Sequence, residues 1–175
     1  NSTEIMEQYT FIDGIIRGEG EAALIPLLKH LQSKTPAASV PSFTYRIGQH
    51  IAETEQASPI SLSQLPFPYP DLEKEKGRIL YFECSRGCPF QCGYCLSSIE
   101  KGVRFMPLEQ VYQCLDLFLS KDVPQVKFVD RTFNCKKSHA MAIWQYIRDH
   151  DNGITNFHFE IAADLLDKDE LDLLS

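Results

Sequence analysis

Apolar and polar positions in the first third of the chain predict two strands and a helix. An apolar run over residues 11–17 predicts a buried strand, which the Gly-Glu repeat of residues 18–21 ends. Leucines spaced three and four residues apart share one face and predict an amphipathic helix with Leu24, Leu27, Leu28 and Leu31 inward. Residues 42–47 alternate like one strand of a hairpin, with Gly48 and Gln49 at its turn.

The second part of the chain repeats a strand-then-helix order. Strands are predicted over residues 78–83, 125–130 and 157–161. Helical periodicity predicts helices that begin near Pro107, Ser138 and Lys168. Strands that alternate with helices predict parallel βαβ units with right-handed crossovers. Three such units are too few to close a barrel, so we expect about half of one.

The segment between these two parts has a different amino-acid composition. Most of the ten prolines lie within residues 33–70, with serine and threonine between them. A residue before proline is pushed out of the helical region, so residues 65–70 are expected to be extended. We therefore predict three segments: residues 1–32 end one α/β domain, residues 33–76 form a linker, and residues 77–175 begin a second α/β domain.

Charge and hydropathy exclude several classes of partner. The formal net charge is −7 and no lysine–arginine cluster is present, whereas a nucleic-acid-binding protein normally presents a basic face. No apolar run approaches the roughly 20 residues that span a bilayer, and residues 1–5 do not resemble a signal peptide. We expect a cytoplasmic protein with neither nucleic acid nor a membrane as its partner.

Four of the six cysteines follow directly on the predicted strand 78–83. Loops at the carboxyl ends of parallel strands carry the active sites of α/β sheets and barrels. Disulfide scaffolds spread their cysteines along small secreted chains, so this clustering favours metal binding. Thiolates are the usual ligands of iron–sulfur clusters. The alternative is a structural zinc site in which Cys84 joins Cys88, Cys92 and Cys95, although such sites usually combine two distant pairs of ligands.

The spacing Cys88-x-x-x-Cys92-x-x-Cys95, with Tyr94 before the last cysteine, resembles the signature of the radical S-adenosylmethionine superfamily. The resemblance implies an enzyme with a [4Fe–4S] cluster held by these three cysteines. It implies an open iron for the amino and carboxylate groups of S-adenosylmethionine, and a backbone contact between Tyr94 and the adenine. Reduction would then cleave S-adenosylmethionine to methionine and a 5′-deoxyadenosyl radical.

Two further segments extend the resemblance over most of the chain. Asp13, Arg17 and the repeat of residues 18–21 resemble the end of the cobalamin-binding domain of one class of these enzymes, and residues 65–69 resemble the linker that follows it. Some members of the class are labelled by analogy with the anaerobic magnesium-protoporphyrin IX monomethyl ester oxidative cyclase, and others are methyltransferases.

The class implies a fold and a set of partners for this chain. The fold would be α/β: the last strand and helix of a Rossmann-like domain, a proline-rich linker, and the first half of a (β/α) partial TIM-like barrel. We expect a fragment, inactive alone, of a cobalamin-linked oxidoreductase-type enzyme. The whole enzyme would take a small-molecule substrate and receive electrons from a donor such as flavodoxin or ferredoxin. A non-catalytic zinc- or cluster-stabilised binding module is the alternative.

One motif of the superfamily is replaced in this chain. Many members carry Gly-Gly-Glu after the second strand to bind the methionine amino group, whereas this chain has Asp130-Arg131-Thr132 there. Asp130 is therefore a candidate ligand of S-adenosylmethionine, and Glu160 on the third strand is another. Both carboxylates are expected to point toward the cysteine loop. The alternative is that each caps a turn or pairs with a neighbouring lysine or arginine.

The remaining cysteines and the histidines are interpreted mainly as structural. Cys84 is expected to be a small buried residue or one that supports the ligands, and Cys114 lies on an apolar helix face. Cys135, in the loop near Asp130, is a weaker functional candidate. No histidine is assigned as a cobalamin ligand.

Overall fold

The computed structural model describes residues 1–32, 34–98 and 102–175, which form two compact units, Asn1–Ile60 and Ser61–Ser175. This division differs from the predicted boundaries at residues 32/33 and 76/77. The predicted linker is shared between the units. Its hairpin pairs with the first strand of the N-terminal unit, and apolar side chains of its second half pack on the core of the C-terminal unit: Leu62, Leu65, Phe67, Tyr69 and Leu72.

The N-terminal unit is a three-stranded antiparallel sheet with two helices. Its elements are α1 (Ser2–Gln8), β1 (Gly14–Ile16), α2 (Glu21–Leu31), β2 (Phe43–Ile47) and β3 (His50–Glu53), and the strand order is β1-β2-β3. The hairpin of β2 and β3 is confirmed, and Gly48 at its turn has a φ of 57°. The strand predicted over residues 11–17 is shorter and half-buried, and Phe11 is 79% exposed.

The leucine face predicted for α2 is largely wrong. The small core of this unit is formed by Ala23, Val40 and Phe43, with Leu27 packed against it. Helix α2 therefore turns the face of Ala23 and Leu27, four residues apart, toward the sheet. The other three leucines of the predicted face are exposed: Leu24, Leu28 and Leu31.

The C-terminal unit has the predicted succession of strands and helices. Its elements are β4 (Ile79–Phe82), β5 (Ser85–Gly87), β6 (Val103–Phe105), α3 (Leu108–Ser120), β7 (Gln125–Phe128), α4 (Lys137–Asp149), β8 (Asn156–His158) and α5 (Lys168–Leu174). Strands β4, β7 and β8 form a parallel sheet in that order, with Phe82 opposite Phe128. A mixed α/β fold is thus confirmed. The antiparallel ribbon of β5 and β6 was not predicted.

An aromatic core fixes the positions of the three parallel strands. Phe128 is fully buried on the central strand, and its ring lies 5.3 Å from that of Phe82, 5.2 Å from that of Phe133 and 4.7 Å from that of Phe159 (centroid to centroid). Phe118 of α3 covers Phe82 at 5.7 Å. This packing holds the carboxyl ends of β4, β7 and β8 side by side. Among the helices that the structure describes, none has the length and apolar character to cross a membrane.

Candidate functional site

The cysteine loop, residues 88–95, follows strand β4 at the edge where the parallel strands end. Its base is closed by the ribbon of β5 and β6, in which Gly87 lies opposite Val103. Gly87 has a φ of 100°, and a Cβ there would lie 2.2 Å from the carbonyl oxygen of Gly102. Only glycine fits this position, so the base of the loop is sterically defined.

The three thiols of the spacing motif lie on this one loop with different exposure. Cys88 and Cys95 are half-buried and Cys92 is exposed. The Cys88 Sγ lies 3.5 Å from the Thr132 Oγ1, and the Cys95 N–H donates to the Cys92 carbonyl oxygen at 3.0 Å. Within residues 1–32, 34–98 and 102–175, no three His, Cys, Asp or Glu side chains are gathered as a metal-binding group. The assignment of the three cysteines as cluster ligands stays a prediction.

The chemistry of the donor set fits an iron–sulfur cluster. All six cysteines are free, so no disulfide competes for the thiols of the loop. Soft thiolate ligands select iron–sulfur clusters or zinc over magnesium or calcium. The donors are therefore suitable even though they are not drawn together around a common point.

Cys84 differs from the three cysteines of the loop. It is 1% exposed, which confirms the interpretation as a small buried residue. Burial first, and then the carboxylate of Asp130, raise the pKa of the Cys84 thiol well above its usual value. The Cys84 thiol is enclosed in the core and donates to the Asp130 Oδ1 at 3.2 Å, unlike the thiols of the loop. This position argues against the four-cysteine zinc alternative.

Asp130 lies just beyond strand β7 and is only 1% exposed. Its Oδ1 accepts hydrogen bonds from the Cys84 N–H at 3.2 Å, from the Cys84 thiol at 3.2 Å and from the Ser85 hydroxyl at 2.5 Å. Burial raises the pKa of Asp130, and the hydrogen bonds from Ser85 and Cys84 oppose that shift. Asp130 thus lies beside the start of the cysteine segment, residues 84–95, but its carboxylate already accepts hydrogen bonds from Cys84 and Ser85. Its contact with S-adenosylmethionine stays a prediction.

Glu160 and Tyr94 lie in more open positions. Glu160, two residues beyond β8, has a side chain that is 49% exposed and whose Oε1 lies 3.7 Å from the Lys127 Nζ. This ion pair corresponds to the structural alternative considered for Glu160. Tyr94 is 94% exposed on the cysteine loop. The cofactor contacts of both residues stay predictions.

Three buried polar residues near the site were not singled out from the sequence. Ser85 donates to Asp130, and Thr132 lies beside Cys88. The Asn134 side chain donates to the Ala162 carbonyl oxygen and accepts from the Ala162 N–H, both at 2.9 Å, which ties the segments after β7 and β8 together. The sequence feature that could have identified Thr132 is the polar stretch directly after the predicted strand 125–130.

The other cysteines and His139 fit structural roles. Cys114 is buried in the core, and burial raises its pKa to about 11. Cys135 is half-buried, and burial raises its pKa as well. Burial lowers the pKa of His139, so its imidazole is neutral at neutral pH.

Comparisons with curated proteins give two informative relatives. No known protein-family profile matches the chain. An uncharacterized methyltransferase of Pyrococcus horikoshii is 29% identical in an alignment of 149 residues that covers 79% of this chain and 32% of that protein. The anaerobic magnesium-protoporphyrin IX monomethyl ester cyclase of Synechocystis sp. is 30% identical in an alignment of 99 residues that covers 53% of this chain and 20% of that protein.

Solved structures resemble nearly the whole chain. The radical S-adenosylmethionine methyltransferase TsrM from Kitasatospora setae, with cobalamin and a [4Fe–4S] cluster bound, superposes with a TM-score of 0.72 at 17% identity, over 98% of this chain and 37% of that one. The cobalamin-dependent S-adenosylmethionine radical enzyme OxsB gives a TM-score of 0.72 at 21% identity, over 99% of this chain and 27% of that one. The chain has the fold of the parts of TsrM and OxsB that it matches.

The resemblance predicted from the cysteine spacing is thereby confirmed at the level of the fold. The chain spans between 20% and 37% of the length of these relatives. In the C-terminal unit, the cysteine loop and Asp130 occupy the edge of the parallel sheet at which its strands end.

Proposed function

We propose that this chain carries the cluster-binding part of a cobalamin-linked radical S-adenosylmethionine enzyme. The observation that carries the proposal is the position of the Cys88, Cys92 and Cys95 spacing at the carboxyl end of the first parallel strand. In the proposed organisation, residues 77–175 are half of a partial TIM-like barrel. Residues 1–32 would end the cobalamin-binding domain, and residues 33–76 would connect the two while their hairpin extends the sheet of β1.

The chain's own residues would bind and orient the cofactors. The three thiols of the cysteine loop would hold the [4Fe–4S] cluster, and Tyr94 would present its backbone to the adenine of S-adenosylmethionine. A bound, reduced cluster would supply the one electron needed to cleave the sulfonium of S-adenosylmethionine to methionine and a 5′-deoxyadenosyl radical. The aromatic core around Phe128 would exclude water below the site, as such chemistry requires.

Methyl transfer to a small molecule is the reaction that the relatives favour. The longer of the two matches, 149 residues against 99, is to a protein described as a methyltransferase, and TsrM is also one. TsrM has been solved with tryptophan as its substrate, an example of a small-molecule substrate. Cyclase chemistry is the second candidate, on the strength of the match to the Synechocystis protein. An electron donor such as flavodoxin or ferredoxin completes the proposed set of partners.

The test is reductive cleavage of S-adenosylmethionine. The whole protein, reconstituted anaerobically with iron and sulfide and reduced with dithionite, is expected to form 5′-deoxyadenosine, measured by liquid chromatography. The Cys92→Ser variant is the matched control, because Cys92 is exposed and its replacement leaves the core intact. We expect it to form none.

The same experiment addresses the alternative of a non-catalytic zinc- or cluster-stabilised module. Metal analysis that finds zinc in place of iron would support a zinc module. A stable cluster with no cleavage of S-adenosylmethionine would support a cluster-stabilised one. Either result would overturn the proposed activity.

A further inference from the structure

A buried carboxylate joins two strands directly below the cysteine loop. The Asp130 carboxylate, beyond the end of β7, accepts the N–H and the thiol of Cys84 and the hydroxyl of Ser85, the two residues that follow β4. The Cys84 carbonyl oxygen accepts from the N–H of Met106, the residue that follows β6, at 2.8 Å. The backbone at Cys84 is therefore held from both directions.

This arrangement leaves Asp130 little capacity for a ligand. Three donors converge on Oδ1, and the second oxygen, Oδ2, lies 3.3 Å from the Cys84 N–H. A carboxylate has about four lone-pair sites, and this one is 1% exposed. Phe128 and Phe133 of the aromatic core, on either side of Asp130 in the chain, are also buried.

The direction in which the cysteine loop leaves the sheet depends on these contacts. Only three residues, Ser85 to Gly87, separate Cys84 from Cys88, and they form strand β5. A shift of the backbone at Cys84 is therefore passed on to Cys88 through a short, paired strand. Groups that bind a cofactor need supporting contacts that hold them close to the productive geometry.

We propose that Asp130 is a positioning residue, which fixes the start of the cysteine segment so that Cys88 is held where the cluster binds. This inference rests on the proposed function. It assigns Asp130 a role through Cys84 and Ser85 rather than a contact with S-adenosylmethionine. Hydrogen bonds to a charged group are stronger than neutral ones, which suits a buried carboxylate to this task.

The test compares Asp130→Asn with a matched control in the same region. In the variant, the amide oxygen can accept from the donors that converge on Oδ1, but the negative charge is lost and the amide NH2 replaces Oδ2, which lies 3.3 Å from the Cys84 N–H. Each of these hydrogen bonds therefore loses its charge assistance. Asn134→Ala is the control, because Asn134 is also buried and loses two hydrogen bonds, to Ala162 and not to the cysteine segment. Ser85→Ala removes one of the hydrogen bonds to Asp130, and it replaces Asp130→Asn as the test variant if Asp130→Asn does not fold.

The first measurement is amide hydrogen exchange in the cluster-free protein. Loss of a charge-assisted hydrogen bond is expected to speed exchange at residues 84–88 by about tenfold or more in Asp130→Asn, with a smaller effect in Ser85→Ala. Asn134→Ala is expected to leave these amides unchanged. Cys84→Ser, which keeps a donor toward Asp130, is expected to stay close to the original rate.

The second measurement is the rate at which a chelator removes iron from the reconstituted protein. We expect faster loss from Asp130→Asn than from Asn134→Ala. Unchanged exchange and iron loss in Asp130→Asn, with weakened binding of S-adenosylmethionine, would overturn the proposal and make Asp130 a cofactor ligand. Failure of the unaltered protein to take up iron would overturn the proposed function instead, while the exchange experiment would still decide what Asp130 holds.

Discussion

Alanine in place of Cys88, Cys92 or Cys95 is expected to abolish cluster binding in the anaerobically reconstituted protein. The iron content should fall from about four atoms per chain to nearly none, because three thiolates are the full set of protein ligands proposed for the cluster. None of the three is in the buried core, so the loss of iron should not come from unfolding. Iron analysis and the absorption spectrum of each variant measure the effect.

Cys84→Ala is the control for this experiment. Cys84 is a buried neutral thiol that donates to Asp130, so its replacement is expected to leave about four iron atoms per chain. Loss of iron from Cys84→Ala as complete as that from Cys88→Ala would favour a four-cysteine site. The open iron position, and with it the radical mechanism, would then be excluded.

Phe128→Ala is expected to destabilise the C-terminal unit by about 3–5 kcal/mol, since it removes a fully buried ring from the centre of the aromatic core. This is a large part of the free energy of unfolding of an ordinary domain. The chain has a single tryptophan, Trp144, which is buried in this unit 5.4 Å from the Phe133 ring. Urea unfolding followed by its fluorescence therefore reports on this unit.

Leu117→Ala provides the comparison for the core substitution. Leu117 lies on the exposed side of α3, and alanine keeps the helix propensity, so we expect a change of less than about 1 kcal/mol. Equal unfolding midpoints for Phe128→Ala and Leu117→Ala would show that Phe128 is not at the centre of the core.

The strands and helices of the C-terminal unit were predictable because each has a strong local pattern. Strands β4 and β7 are short runs rich in β-branched and aromatic residues, and α3 has apolar residues at helical spacing. The order of strand and helix then implied the parallel sheet. Strand β5 was missed since Ser85-Arg86-Gly87 has neither alternation nor β-branched residues, and its pairing with β6 is a tertiary effect.

The side-chain contacts of the site residues could not be predicted from the sequence. The position of Asp130 near the cysteine segment followed from the strand order, but its donors lie 45 and 46 residues away in the chain. No local pattern records such a contact. The prediction that the four leucines of α2 face inward was wrong for a related reason. Packing on the small core of the unit, which the local leucine spacing does not record, turns the face of Ala23 inward.

The most direct measurement is the electron paramagnetic resonance spectrum of the reduced, reconstituted whole protein before and after addition of S-adenosylmethionine. We predict the signal of a reduced [4Fe–4S] cluster, and we predict that it changes on addition, because an iron without a cysteine ligand would bind the amino and carboxylate groups of S-adenosylmethionine. A signal that S-adenosylmethionine leaves unchanged, or a protein that holds zinc and gives no signal, would contradict the assignment of Cys88, Cys92 and Cys95 as the three ligands of an open cluster.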